Sequence, residues 1–197
     1  MNTPNKLTLA RMIATPIFML TMLFAFPFRY VAALVLFVLA SLTDLIDGKL
    51  ARKYNLITDF GKFLDPLVDK MLTTAAYLGF ICVYGDKPVY CWQITAITFI
   101  VLFREFAVSS IRLVVVSSGG KVIAANMWGK AKTVSQMIGI STALTIFAAK
   151  DIFSCLSRFD LFFDIAIMVL FWISAVLCVI SGIIYLSGSK EYINSSK

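Results

Sequence analysis

The amino-acid sequence predicts an all-α integral membrane protein with six transmembrane helices, and three observations carry that expectation. Of 197 residues, 60% are hydrophobic and only 15% charged, with a mean hydropathy of +0.89; soluble domains are about 25% charged. The apolar residues gather into six stretches near the crossing length of a bilayer, which takes about 20 residues at 1.5 Å rise each. The breaks between them carry turn chemistry: Pro27, Tyr54-Asn55, Gly85 to Pro88, Ser117 to Gly120, Lys150-Asp151 and Ser187 to Ser189. The spans are read at about 7–27, 30–53, 60–84, 90–117, 127–149 and 160–187. They form one domain over 1–197, since no Pro/Gly/Ser-rich or long polar stretch offers a place for a second to begin. Met1 to Asn5 lead straight into a mixed segment without the pattern of a cleaved leader, so no removable signal peptide is expected.

With an even number of spans both termini share a side, and basic residues in alternate loops give the orientation. Eleven of the 18 Lys and Arg fall on the terminal side, against four on the other, Arg29, Lys87, Lys150 and Arg158. Cytoplasmic loops carry the excess of positive charge, so both termini are expected in the cytoplasm of a multi-pass plasma-membrane protein. The net charge of +7 then suits anionic lipid headgroups or a phosphorylated substrate. No nucleic-acid partner is expected. The plainer reading of any single loop lysine is that it only sets topology.

Cys82, Cys91, Cys155 and Cys178 match no zinc spacing and no dense disulfide framework. They read as small apolar fillers, with a Cys82–Cys91 bridge across a short loop left open. Histidine is absent altogether, which removes the commonest general base and metal ligand from any mechanism.

The chemistry-bearing segment begins at Asp44 and ends at Asp69. Asp44 and Asp47 stand three apart at the end of the second span, and Asp65 and Asp69 four apart at the start of the third. Each pair shares a helix face, and consecutive spans joined by a short break are antiparallel, so all four carboxylates can converge. Four ionised carboxylates within spans would cost up to about 10–14 kcal/mol before repulsion. Two divalent cations would offset that, and an all-oxygen donor set favours a hard ion, Mg²⁺ or Mn²⁺. Paired metals of this kind clamp the oxygens of a phosphoryl centre. Gly48, Ala51 and Gly61 keep bulk away beside the acids, leaving room for a flat ligand, although small residues also serve plain helix packing. Pro66 fits a first helical turn or a kink and is assigned no chemistry.

Written out, the segment is D-x2-D-G-x2-A-R-x8-G-x3-D-x3-D, which resembles the signature of the CDP-alcohol phosphatidyltransferase family without departure from its spacing. The resemblance implies that family's six-helix transmembrane fold, a dinuclear metal site, a CDP-linked lipid donor and a homodimer. It implies that Asp44, Asp47 and Asp65 bind metal and that Asp69 both contacts metal and acts as general base. Asp47, Gly48, Ala51, Arg52 and Gly61, with Asn5 and Thr8 of the amino-terminal stretch, would line the site of the CDP-lipid. The stretches Pro4 to Arg11 and Arg104-Glu105 through Arg112, Trp128 to Thr133 and Gln136 resemble the branch of the family that makes phosphatidylglycerophosphate; the last sixty residues add little beyond apolar spans.

The residues themselves ask for a phosphorylated acceptor. Arg104 and Arg112 fall inside the fourth span, and Lys130 and Lys132 open the fifth. Charges within a membrane face a cavity or a partner. Glu105 could neutralise one arginine; the others call for an anion, and phosphate accepts the paired bonds that arginine offers. The expectation is a transferase that joins CDP-diacylglycerol and glycerol 3-phosphate. The rivals are a relative with another acceptor, inositol phosphate or phosphatidylglycerol, a cation or proton transporter, and a purely structural membrane subunit.

Overall fold

A computed structural model describes residues 3–53, 59–117 and 127–188; within these the side chains of 3–5, 45–53, 59–66, 69, 116–117 and 154 lie outside the description. Six long helices make up nearly all of it: α1 Thr3–Leu23, α2 Arg29–Lys53, α3 Asp59–Val83, α4 Pro88–Ser117, α5 Met127–Ile152 and α6 Asp160–Gly188, with a 3₁₀ turn at Ser154–Phe159 before α6. No strand occurs among the described residues. Each expected stretch is therefore one helix.

Three ends differ from expectation, the first being the start of α1 at Thr3 rather than at about residue 7. Helix α1 stops at Leu23, short of Pro27, because a proline ring clashes with the carbonyl four residues back and holds its predecessor out of helical geometry. The connection then turns through Phe28 at φ 60° and closes with Arg29 N–H donating to the Phe26 carbonyl at 3.3 Å. Helix α5 continues through the expected break at Lys150-Asp151 as far as Ile152. Lys150 suits the negative end of that helix and pairs with Asp160 at 2.7 Å, so the turn moves on to the 3₁₀ segment.

Stretches both long and apolar enough to cross a bilayer lie in three helices, over Lys6–Leu23, Pro88–Val115 and Cys155–Gly188, with a shorter one, Lys70–Val83, in α3. Helices α2 and α5 match them in length, at 25 and 26 residues, but carry charge at one or both ends. The exterior is apolar: Phe99, Phe103, Phe106, Leu161 and Phe162 are each about two-thirds exposed. Arg11, Lys132, Gln136 and Asp164 are buried instead. Polar groups inside and aromatic groups outside is the arrangement of a protein whose solvent is lipid.

The helices close a ring in the order α1, α2, α5, α6, α4, α3, with α3 and α5 also touching across it. Gly79 allows the tight α1–α3 approach, since a Cβ there would lie 2.9 Å from Met22 Cβ. Phe80, Phe147 and Phe171 fill the middle, with Phe80 and Phe171 ring centres 5.4 Å apart and Tyr77 set edge-on to Phe171 at 5.3 Å. Beyond that plug, at the end carrying the α3–α4 turn, buried Asp164 accepts from Tyr84 at 2.9 Å and from Lys87 at 2.5 Å. Its bond to Asp164 raises Lys87 above the ordinary lysine value. All four cysteines are free thiols, Cys82 and Cys91 included.

Candidate active site

At the opposite end of the ring, α1 packs between α2 and α3 and brings a cation to the acidic face. Arg11, 2% exposed, forms an ion pair with half-exposed Asp44. The Thr15 hydroxyl donates to the Arg11 carbonyl at 2.9 Å. Thr8, one turn before Arg11, is also buried. Asp47, Gly48, Ala51 and Arg52 follow Asp44 along α2, and Gly61, Asp65 and Asp69 lie on α3; the backbone is helical at each, while these side chains and that of Asn5 lie outside the described residues. The donor chemistry fits hard divalent cations: the four aspartates offer only carboxylate oxygens, and the one whose side chain is described, Asp44, is partly exposed.

A second polar centre lies where α3, α4 and α5 meet. Glu105 of α4 is its hub. Its Oε1 accepts from Lys132 of α5 and, at 3.1 Å, from Arg104 Nη1, while Oε2 lies 3.7 Å from Lys70 Nζ of α3. Arg104 reaches onward to Ser181 of α6 at 2.6 Å, and Lys70 to Ser109. Gly182 makes room for the arginine, because a Cβ there would lie 3.0 Å from Arg104 Cγ. Three cations against one carboxylate leave a surplus of two positive charges in a centre where Lys132, Arg104 and Glu105 are each under 16% exposed.

The sequence grouped Arg104, Arg112, Lys130 and Lys132. The structure joins Arg104 and Lys132 through Glu105 and leaves Arg112 and Lys130 exposed on the flanks. Between α1, α3 and α4 runs an apolar groove of about 540 Å³, walled by Met12, Met19, Leu67, Met71, Leu78 and Phe106. Lys70, Thr74 and Glu105 line both this groove and a small polar cavity of about 20 Å³ shared with Thr73, Lys132, Thr133 and Gln136.

Residues 1–184 match the family model described as CDP-alcohol phosphatidyltransferase. The chain belongs to that family. Its relatives include the CDP-diacylglycerol--glycerol-3-phosphate 3-phosphatidyltransferase of Bacillus subtilis, 40% identical with 99% of this chain and 98% of that protein covered. The protein of the same name from Rickettsia bellii is 35% identical over 97% of both chains. A probable phosphatidylglycerophosphate synthase of Mycobacterium tuberculosis is 38% identical over 71% of this chain and 64% of its own length.

Against the family motif, Arg11, Lys70 and Ser181 are the polar partners that sequence reasoning left without a role, while Glu105, expected to neutralise one arginine, meets Arg104 and two lysines besides. Lys70 carried a signal, as a charge within a span next to Asp69. Arg11 carried a weaker one, three residues after Thr8 in an apolar run. Ser181 carried none, and with Gly182 it corrects the view that the last sixty residues contribute only apolar spans.

Proposed function

We propose that this CDP-alcohol phosphatidyltransferase moves the phosphatidyl group of CDP-diacylglycerol onto sn-glycerol 3-phosphate, giving phosphatidylglycerophosphate and CMP for phospholipid synthesis. The observation that carries the acceptor is the centre around Glu105. Its surplus of two positive charges suits a phosphate monoester, which bears about −1.5 to −2 near neutral pH, and leaves an unphosphorylated alcohol without a partner. The named activity of relatives aligned along nearly the whole chain supports the same reaction.

In this reading the single domain crosses the plasma membrane six times as a homodimer, with both termini and the site on the cytoplasmic side. Asp44, Asp47, Asp65 and Asp69 hold two Mg²⁺ or Mn²⁺ ions, which when bound offset charge on the diphosphate. Arg11 orients Asp44 within that set. Asp47, Gly48, Ala51, Arg52, Gly61, Asn5 and Thr8 receive the CDP-lipid. Arg104, Arg112, Lys130 and Lys132 attract and hold the acceptor phosphate. Asp69 takes the proton from the acceptor's 1-hydroxyl as that oxygen bonds to the β-phosphorus of the donor. The P–O bond to CMP breaks, and CMP leaves with the electron pair. A carboxylate is the natural base in a chain without histidine, and positioning with electrostatics supplies most of the acceleration.

A transporter would need polar groups continuing through the bundle, whereas the aromatic plug of Phe80, Phe147 and Phe171 separates the two polar ends. Purified protein with CDP-diacylglycerol, Mn²⁺ or Mg²⁺ and a panel of alcohols tests the proposal through CMP release. Release with glycerol 3-phosphate, and its loss in a folded Asp69→Asn variant that still binds donor, is expected. Release with inositol phosphate or phosphatidylglycerol instead would overturn the acceptor, and wild-type turnover by the variant would remove Asp69 as base.

A further inference from the structure

We propose that Glu105 is an internal stand-in for the acceptor's phosphate, seated in the place that phosphate takes and moved aside toward Lys70 when it binds. The inference rests on the acceptor reading above and adds how that site opens. Four observations carry it.

The polar cavity beside Glu105 has a volume of about 20 Å³, enough for about one water and too small for a phosphate, so the anion seat is closed while the carboxylate fills it. Two buried donors at this centre are under-satisfied: Arg104 Nε makes no hydrogen bond among the described residues, and Gln136 Nε2 makes none beyond a long contact with the Tyr77 hydroxyl. Gln136 is 3% exposed and lies one helical turn beyond Lys132 on the same face of α5. Buried donors without acceptors are costly, and a carboxylate has fewer acceptor oxygens to offer than a phosphate monoester has.

Lys70 differs from the other two cations. It is the most exposed of the three, at 35%, faces Oε2 at 3.7 Å, and also lines the open groove. Arg104 and Lys132 share Oε1 and are held under 14% exposed. A turn of the Glu105 side chain toward Lys70 would thus convert the centre into a neutral Lys70–Glu105 pair beside a doubly positive Arg104–Lys132 seat. That seat is matched in charge to a phosphate dianion.

The carboxylate therefore keeps two buried cations neutralised and in register when no acceptor is present, and competes with phosphate for them. A fixed scaffold would do the first and not the second, and the two differ in sign when the charge is removed. The test measures binding of radiolabelled inorganic phosphate by equilibrium dialysis, and melting temperature with phosphate or with chloride at equal ionic strength, on the full-length protein in detergent. Glu105→Gln is expected to melt below wild type in chloride, to bind phosphate at least several-fold more tightly, and to gain more in melting temperature from phosphate than wild type does. Lys70→Met, which leaves the displaced carboxylate no partner, is expected to bind phosphate several-fold more weakly. Should Glu105→Gln not fold, Glu105→Asp, whose shorter arm reaches the cations less well, is expected to shift binding the same way by less. Phosphate binding that is unchanged or weaker in the Glu105 variant, or unchanged in Lys70→Met, overturns the proposal. CMP release by wild type is a separate readout: its absence with glycerol 3-phosphate would sink the reaction above while tighter phosphate binding by Glu105→Gln still upheld the displaced carboxylate.

Discussion

Arg104 and Arg112 look alike in the sequence, two arginines in one apolar span, yet the folded chain treats them differently. Arg104 is held by Glu105 and Ser181, whereas Arg112, two turns further along α4, is exposed. An exposed cation with no ion pair among the described residues is available to an incoming phosphate without first giving up an internal partner. Arg112→Ala is therefore expected to raise KM for glycerol 3-phosphate about tenfold or more, the scale of a charged hydrogen bond of roughly 1.5–3 kcal/mol, with little change in KM for CDP-diacylglycerol. Equal effects on both substrates in steady-state kinetics would make Arg112 structural. The four aspartates group in the sequence because their spacing puts each pair on one helix face, and of their side chains the structure describes Asp44. Its counter-charge was not legible: Arg11 and Asp44 are 33 residues apart in sequence, and no local pattern announces such a meeting.

Among the elements, the helices themselves were readable to within about four residues at each end, since their apolar runs end at turn residues. What misled at the ends was local sterics and pairing: Pro27 ends α1 four residues early, and the Lys150–Asp160 pair carries α5 past its expected stop. Helix α6 was read as an apolar span, and its small-residue pair is where it meets the Glu105 centre. Ser181 accepts from Arg104, and Gly182 leaves the gap through which that side chain passes. A Gly182→Val substitution is expected to push Arg104 aside, costing about 1–3 kcal/mol in packing and lowering turnover at least tenfold in protein that still folds. Gly182→Ala, whose Cβ would meet Arg104 Cγ at 3.0 Å, should show the same loss in milder form. CMP-release rates of both variants at saturating donor check this; wild-type rates would detach α6 from the site.

On the scale of the whole molecule, the ring of helices separates two polar ends across an aromatic middle, and the proposed orientation puts the Asp164 end outside the cell. Cys155 lies at that end, exposed in the 3₁₀ turn between α5 and α6. In intact cells a variant keeping Cys155 as its one thiol is expected to react with a membrane-impermeant maleimide. Protection until the membrane is opened would reverse the topology. By itself the sequence determined the membrane class, the six helices, the family and the acidic motif, because hydropathy and spacing within one or two helices are local properties of the chain. Only the tertiary structure decided which charges meet: Arg11 with Asp44, and Lys70, Arg104 and Lys132 with Glu105. The ring order sets those encounters by bringing α3, α4 and α5 around one carboxylate, and the low-dielectric surroundings make each unpaired charge too costly to leave alone.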